Sequence, residues 1–120
     1  MSDNVGDWTT GHAAILYEQC ADCGRLWYFS RAFCPHCGSD RVAARHASGR
    51  GTVYAATRVE RAPAKALQAF APYQVLLVDA EEGFRLMAHG ALDLRIGDAV
   101  TASFRPFGDG LVPFFERVNP

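Results

Sequence analysis

Four cysteines carry the most legible chemistry in this sequence: Cys20-Ala-Asp-Cys23 and, after ten intervening residues, Cys34-Pro-His-Cys37, with Gly24 and Gly38 directly following the pairs. Two Cys-x-x-Cys turns deliver four soft thiolates to one small sphere, which is the donor set of tetrahedral zinc. A four-thiolate site leaves no open position for water or substrate, so the metal reads as structural, one ion per chain, and hydrolytic zinc chemistry is excluded. The alternatives for such pairs are a metal-free ribbon or a redox dithiol, and nothing else in the chain resembles a thioredoxin βαβ unit. His36 lies inside the second pair among four better ligands and is expected to be exposed and unligated.

With all four cysteines committed to metal, no thiol remains to accept an acyl group. No Gly-x-Ser-x-Gly elbow, P-loop, His-Glu-x-x-His or Gly-x-Gly-x-x-Gly unit occurs. His12, His46 and His89 titrate near neutrality, but none has a companion acid or nucleophile nearby in sequence, so they read as structural or solvent-facing. No catalytic residue is assigned.

The elements that position the cysteines follow from the local patterns. Leu26-Trp-Tyr-Phe29 is aromatic and β-prone and is expected to be a ribbon strand between the two knuckles, paired with Leu16-Tyr-Glu-Gln19. A unit of this size cannot bury an adequate core and must rest on its metal. Beyond Gly49-Arg50-Gly51, five strands are expected: Thr52–Val59, Tyr73–Val78, Phe84–Leu92, a segment in which Val100, Ala102 and Phe104 alternate with polar residues, and Leu111–Val118. Leu94–Asp98 and Pro106–Gly110 read as turns, Phe114 and Phe115 should face opposite ways, and Pro113 marks an edge or bulge. The stretch Glu60–Pro72 is the one long connection, with room for a short helix between Pro63 and Pro72. The fold class is mainly β: an N-terminal rubredoxin-like zinc ribbon (15–48) followed by a five-stranded OB-fold barrel (49–120), preceded by a segment 1–14 available for docking.

The chain has 120 residues and a net charge of −1, which hides a segregation: −4 over residues 1–23, +6 over 24–65 and −3 over 66–120. A basic middle between acidic ends is the footprint of an anionic ligand. Trp27, Tyr28 and Phe29 among arginines also fit a single-stranded nucleic-acid binder, but a pI near 6.4 and the acidic last third weigh against it. The first residues lack a basic n-region and no apolar run approaches the roughly 18 residues of a membrane span, so a soluble, cytoplasmic protein is expected. Paired cysteines in a reducing compartment fit metal ligands better than disulfides.

The series Gln19-Cys20-Ala-Asp-Cys23-Gly24, Phe33-Cys34-Pro-His-Cys37-Gly38-Ser39, Gly49-Arg-Gly-Thr-Val-Tyr54, Ala71-Pro-Tyr73 and Arg95-Ile-Gly-Asp-Ala-Val100 resembles the DUF35 family of zinc-ribbon OB-fold proteins associated with acyl-CoA metabolism. The resemblance covers about residues 15–118 and departs at Ser30-Arg31, where the family often has Pro-Pro. It implies a non-catalytic accessory subunit bound to a thiolase-like enzyme in a hetero-oligomer, helping to bind acyl-CoA shared with that partner. Relatives pairing with acyl-CoA hydratases or with aldolases of thiolase fold supply the alternative, and one group serves aromatic degradation.

On that resemblance, the loop around Ala62–Pro72 borders the coenzyme, and Arg50, Arg58, Arg61 and Lys65 are expected near its phosphates, where arginine forks and a lysine point charge suit anionic oxygens. Trp8, Trp27, Phe29, Phe70 and Phe107 are more large aromatics than two small cores need and are expected to include a partner interface.

Overall fold

The computed structural model describes residues 7–61 and 65–118. Two sheets follow from the sequence. The first is the ribbon, β1 (Leu16–Cys20), β2 (Leu26–Trp27) and β3 (Val42–His46), in the antiparallel order β2-β1-β3. The expected strand Leu26–Phe29 stops after two residues because Glu18 on β1 captures the chain beyond it. Its carboxylate accepts from Trp27 Nε1 at 2.9 Å, Ser30 Oγ at 3.0 Å and the Arg31 N–H at 2.7 Å. Tyr28 and Phe29 are thereby released from the ladder, Tyr28 toward the barrel and Phe29 toward solvent. Strand β3 has no counterpart in the sequence expectation: Val42 is its one strongly β-prone residue, and Ala43, Ala44 and Arg45 carry no strand signal.

The second sheet is a closed barrel of β4 (Arg50–Val59), β5 (Tyr73–Ala80), β6 (Arg85–Gly90), β7 (Ala99–Phe107) and β8 (Gly110–Arg117), ordered β4-β5-β6-β8-β7. All neighbours are antiparallel except β6 and β8, which gives the OB arrangement expected. Strand β7 continues through Pro106 to Phe107, so the turn expected over Pro106–Gly110 contracts to Gly108-Asp109. Phe115 is buried and Phe114 half-buried on the other face, as period-2 alternation requires. Pro113 sits one residue before the short parallel ladder of β8 with β6 begins, so that side of the strand asks nothing of its missing N–H. Between β4 and β5 a 3₁₀ helix spans Lys65–Phe70.

Val53, Leu76, Val78, Leu86, Ala88, Val100 and Phe115 fill the barrel, and Leu94 closes one end from the connection between β6 and β7. The buried Gln74 amide satisfies that connection by donating to the carbonyls of Ala91 (2.8 Å) and Leu94 (3.3 Å). Gly90 is required at this end, because a Cβ there would overlap Leu76 and stand 2.9 Å from Leu94 Cδ1.

Ribbon and barrel share one core. Phe84 of the barrel stacks on Tyr17 (5.0 Å between ring centroids) and on Tyr28 (5.5 Å, 4° interplanar), both from the ribbon. Glu82 accepts from the Ser48 N–H at 2.6 Å beside the inter-sheet connection. The N-terminal segment contributes a 3₁₀ turn, Trp8–Thr10, capped by Asp7, with Trp8 Nε1 donating to Tyr28 Oη at 2.8 Å. The expected docking segment 1–14 lies partly outside the described residues.

Candidate functional site

The metal centre is built from two identical turns. In the first, the N–H groups of Asp22 and Cys23 donate to Cys20 Sγ at 3.3 and 3.4 Å; in the second, those of His36 and Cys37 donate to Cys34 Sγ at the same distances. Gly24 (φ +79°) and Gly38 (φ +82°) close the turns with N–H bonds to the Cys20 and Cys34 carbonyls, a conformation that favours glycine.

The four Sγ atoms lie within 4.8 Å of one another, and the two cross-knuckle separations are 3.6 Å (Cys20 to Cys37) and 3.7 Å (Cys23 to Cys34). Four ligands at about 2.3 Å from zinc stand about 3.8 Å apart in a tetrahedron, so the set fits the ion. The N–H of Cys23, helped by that of Asp22, holds the Cys20 thiol down at about 6. Burial alone would raise Cys34, yet the N–H groups of Cys37 and His36 outweigh it and keep that thiol low. For Cys37 the Ser39 N–H works downward, but the neighbouring Cys20 sulfur, burial and Cys34 overcome it and push the thiol up to about 12. Clustered thiolates thus hold back a last proton unless a cation balances them. Zinc here is structural: all donors are protein sulfurs. His36 accepts from Arg25 at 3.1 Å and is exposed, as expected.

The second feature is an aromatic cleft of about 380 Å³ where the β4–β5 connection meets the β7–β8 hairpin. Tyr73 and His89 stack at 4.9 Å, Phe107 stands edge-on to both at 5.0 and 4.5 Å, and Phe70 packs on Phe107 at 5.0 Å. Burial holds the His89 imidazole below its ordinary value, so this wall is neutral near pH 7. Arg105 forms the rim, its guanidinium 3.7 Å above the Phe114 ring and paired with Glu116 at 3.4 Å. In OB-folds this junction of loops is the ligand face.

A third, apolar hollow of about 320 Å³ adjoins it, formed by Trp8, Tyr28 and Phe29 from the N-terminal half and by Val75, Met87 and Val112 from the barrel. Phe29 is 71% exposed and Met87 63%. Of the five aromatics expected to include an interface, Trp8 and Trp27 are engaged internally, Phe29 projects outward, and Phe70 and Phe107 line the cleft.

The four basic residues do not form one cluster. Arg50 begins β4 and Arg58 lies near its end; at a rise of about 3.3 Å per residue they are about 26 Å apart along the strand. Arg50 is therefore removed from the expected phosphate group. Arg58 is paired with Glu60 at 2.5 Å, and Arg61 and Lys65 are exposed at the mouth of the long connection. Ala62, Pro63 and Ala64, part of the loop expected to border the coenzyme, lie outside the described residues. Sequence reasoning passed over Tyr73 and Arg105 as cleft residues. The OB strand order was the available signal, since it brings the end of β7 beside the start of β5.

A family model described as the ChsH2 rubredoxin-like zinc ribbon domain matches residues 14–43, and one described as the ChsH2 C-terminal OB-fold domain matches residues 44–105. A DUF35 domain-containing scaffold protein of Methanocaldococcus jannaschii is 31% identical, covering 88% of this chain and 81% of its own length. Its namesake in Methanothermobacter thermautotrophicus is 28% identical, covering 100% and 98%. Among solved structures, the Ltp2-ChsH2(DUF35) aldolase is similar with a TM-score of 0.74 at 28% identity, over 87% of this chain and 84% of that one. A DUF35 protein of unknown function from Sulfolobus solfataricus shares the fold, with a TM-score of 0.57 at 18% identity over 88% of this chain and 76% of its own. The zinc ribbon, the OB barrel and these matches together place the chain in the DUF35 family.

Proposed function

We propose that this chain is a cytoplasmic, non-catalytic accessory subunit of an enzyme acting on acyl-CoA thioesters, with a thiolase-type partner, and that it helps to bind the coenzyme and shape the partner's active site. The observation that carries this reading is the apolar surface shared by ribbon and barrel, Phe29 and Met87 flanking one hollow and Phe70 and Phe107 lining the next. Exposed aromatic groups of this extent mark binding surfaces, and the scaffold naming of the relatives agrees with it. The similarity to the Ltp2-ChsH2(DUF35) aldolase favours an aldolase partner as the second reading.

Coenzyme phosphates are assigned to Arg61 and Lys65, with Arg58 available by exchange from Glu60, since an exposed pair is worth only about 0–1 kcal/mol. Purification with the native partner and identification of that partner tests the reading. Turnover of acyl-CoA by the lone chain, or salt-dependent binding of random oligonucleotides, would overturn it. In the assembled complex, Arg61→Ala with Lys65→Ala should weaken acyl-CoA binding at low ionic strength while zinc content and partner association stay intact. Unchanged affinity removes these residues from the site.

A further inference from the structure

The ribbon sheet ends in an unpaired edge. β3 pairs with β1 on one side, and among the described residues no strand meets the other. The N–H of Ala47 donates to the Ile15 carbonyl and that of Ala21 to the Arg41 carbonyl. Residues 41, 43, 45 and 47 therefore direct their backbone groups at β1, and by the alternation of an antiparallel ladder Val42, Ala44 and His46 direct theirs outward. Ala43 to His46 are all exposed, so neither the barrel nor the N-terminal turn covers this edge.

Two further observations say what would cover it. Ala44 borders a hollow of about 430 Å³ whose other walls include Trp8, Leu16, Tyr28 and Phe29. Its two acids are both engaged: Asp7 caps the 3₁₀ turn, and Glu18 is consumed by the three hydrogen bonds described above. A strand laid along β3 would set alternate side chains beside Ala44 at this apolar hollow. The intervening ones would share the opposite face with Arg45, which joins no ion pair among the described residues and lies in the +6 segment. A second copy of this chain is the poorer occupant: pairing β3 with itself about Ala44 sets the two Arg45 side chains on one face across a diagonal of about 7–8 Å.

We propose that the outer edge of β3 is a strand-addition site for an extended segment of the partner polypeptide that alternates apolar residues, over the hollow beside Ala44, with acidic residues facing Arg45. Main-chain bonds to Val42, Ala44 and His46 would supply affinity, and the hollow and the arginine would supply register and selectivity. The charge that discourages pairing between copies thereby selects the sign of the incoming strand. The inference rests on the accessory-subunit reading for the existence of a partner.

Hydrogen–deuterium exchange of the free chain and of its complex with the co-purified partner enzyme tests it. The amides of Val42, Ala44 and His46 should exchange at least about tenfold more slowly in the complex, as newly bonded groups do. Ala44→Pro removes an N–H that makes no bond within the ribbon, so zinc content should stay at one equivalent while the complex is lost. Ala43→Pro, whose N–H faces β1, should lose zinc. Arg45→Glu, which leaves the backbone alone, should weaken binding about tenfold at low ionic strength. A full-affinity complex in which these three amides remain fast, or zinc-loaded Ala44→Pro protein that binds normally, overturns the proposal and leaves the accessory reading standing. Failure to form any complex overturns both. Protection of the free chain that grows with its concentration assigns the edge to a second copy and overturns the proposal.

Discussion

Phe84 joins the two halves of the molecule, and its removal should separate them. The ring is 6% exposed and lies against Tyr17 and Tyr28, the two ribbon tyrosines that reach the barrel. Truncating a buried phenylalanine to alanine costs about 3–5 kcal/mol, and each aromatic stack adds about 0.5–1.5 kcal/mol beyond area burial. Part of the stacking is already counted in the truncation figure, so about 4 kcal/mol is expected for Phe84→Ala. Phe84→Leu, which keeps most of the volume, should lose about 1–2 kcal/mol of stacking. Urea unfolding of both variants measures the loss, and zinc analysis with limited proteolysis locates it. The cysteines lie at the other end of β1, and the barrel retains Leu76, Val78, Val100 and Phe115 when this ring is removed, so zinc should remain and cleavage should appear near Ala47–Gly49. A loss below about 1 kcal/mol, or zinc release in step with unfolding, would refute the idea that Phe84 acts at the junction.

Cys34→Ser should leave less than about half an equivalent of zinc and unfold the ribbon, because metal binding of about 10–16 kcal/mol in zinc peptides exceeds what three short strands can supply; full zinc occupancy would contradict this. Gly90→Ala should lose about 1–3 kcal/mol by overpacking, since the added methyl overlaps Leu76 and crowds Leu94; thermal unfolding within a degree of the parent would contradict that. Burial lowers His89, so between its folded value and about 6.5 the unfolded chain binds the extra proton. Its contribution to stability is complete above about pH 6.5 and is lost as pH falls below it. Unfolding free energies from pH 5 to 8 should therefore decline less steeply on the acid side in His89→Gln, and parallel profiles would disprove the assignment.

What was legible in the sequence was what depends on near neighbours. The knuckles are local turns closed by Gly24 and Gly38, and the barrel strands are runs whose alternation and intervening glycines and prolines announce themselves, so both were foreseen close to their true limits. β3 was not, because Ala43, Ala44 and Arg45 become a strand only through pairing with β1, in the register that sets Val42 opposite Cys20, and that is a contact with residues more than twenty positions away. The early end of β2 has the same origin. Leu26-Trp-Tyr-Phe29 is a good strand sequence, and what ends it is a carboxylate eight residues before Leu26 that is better satisfied by Ser30 and Arg31 than by solvent.

The candidate site divides along the same line. Arg50 and Arg58 are neighbours in a list of basic residues, yet β4 is a single extended strand and keeps them at its two ends, so charge segregation along the chain overstated charge convergence in space. The aromatic cleft was understated for the opposite reason. Phe70 and Tyr73, His89, and Phe107 come from three separate stretches, and only the OB strand order gathers them. The zinc site fixes β1 and β2, whose continuation delivers Tyr28 to Phe84 and leaves Phe29 beside Met87. A metal with no open coordination position would therefore still bear on the proposed recognition, because the apolar surface proposed for a partner exists in one piece only while the ribbon that the metal stabilises is docked on the barrel.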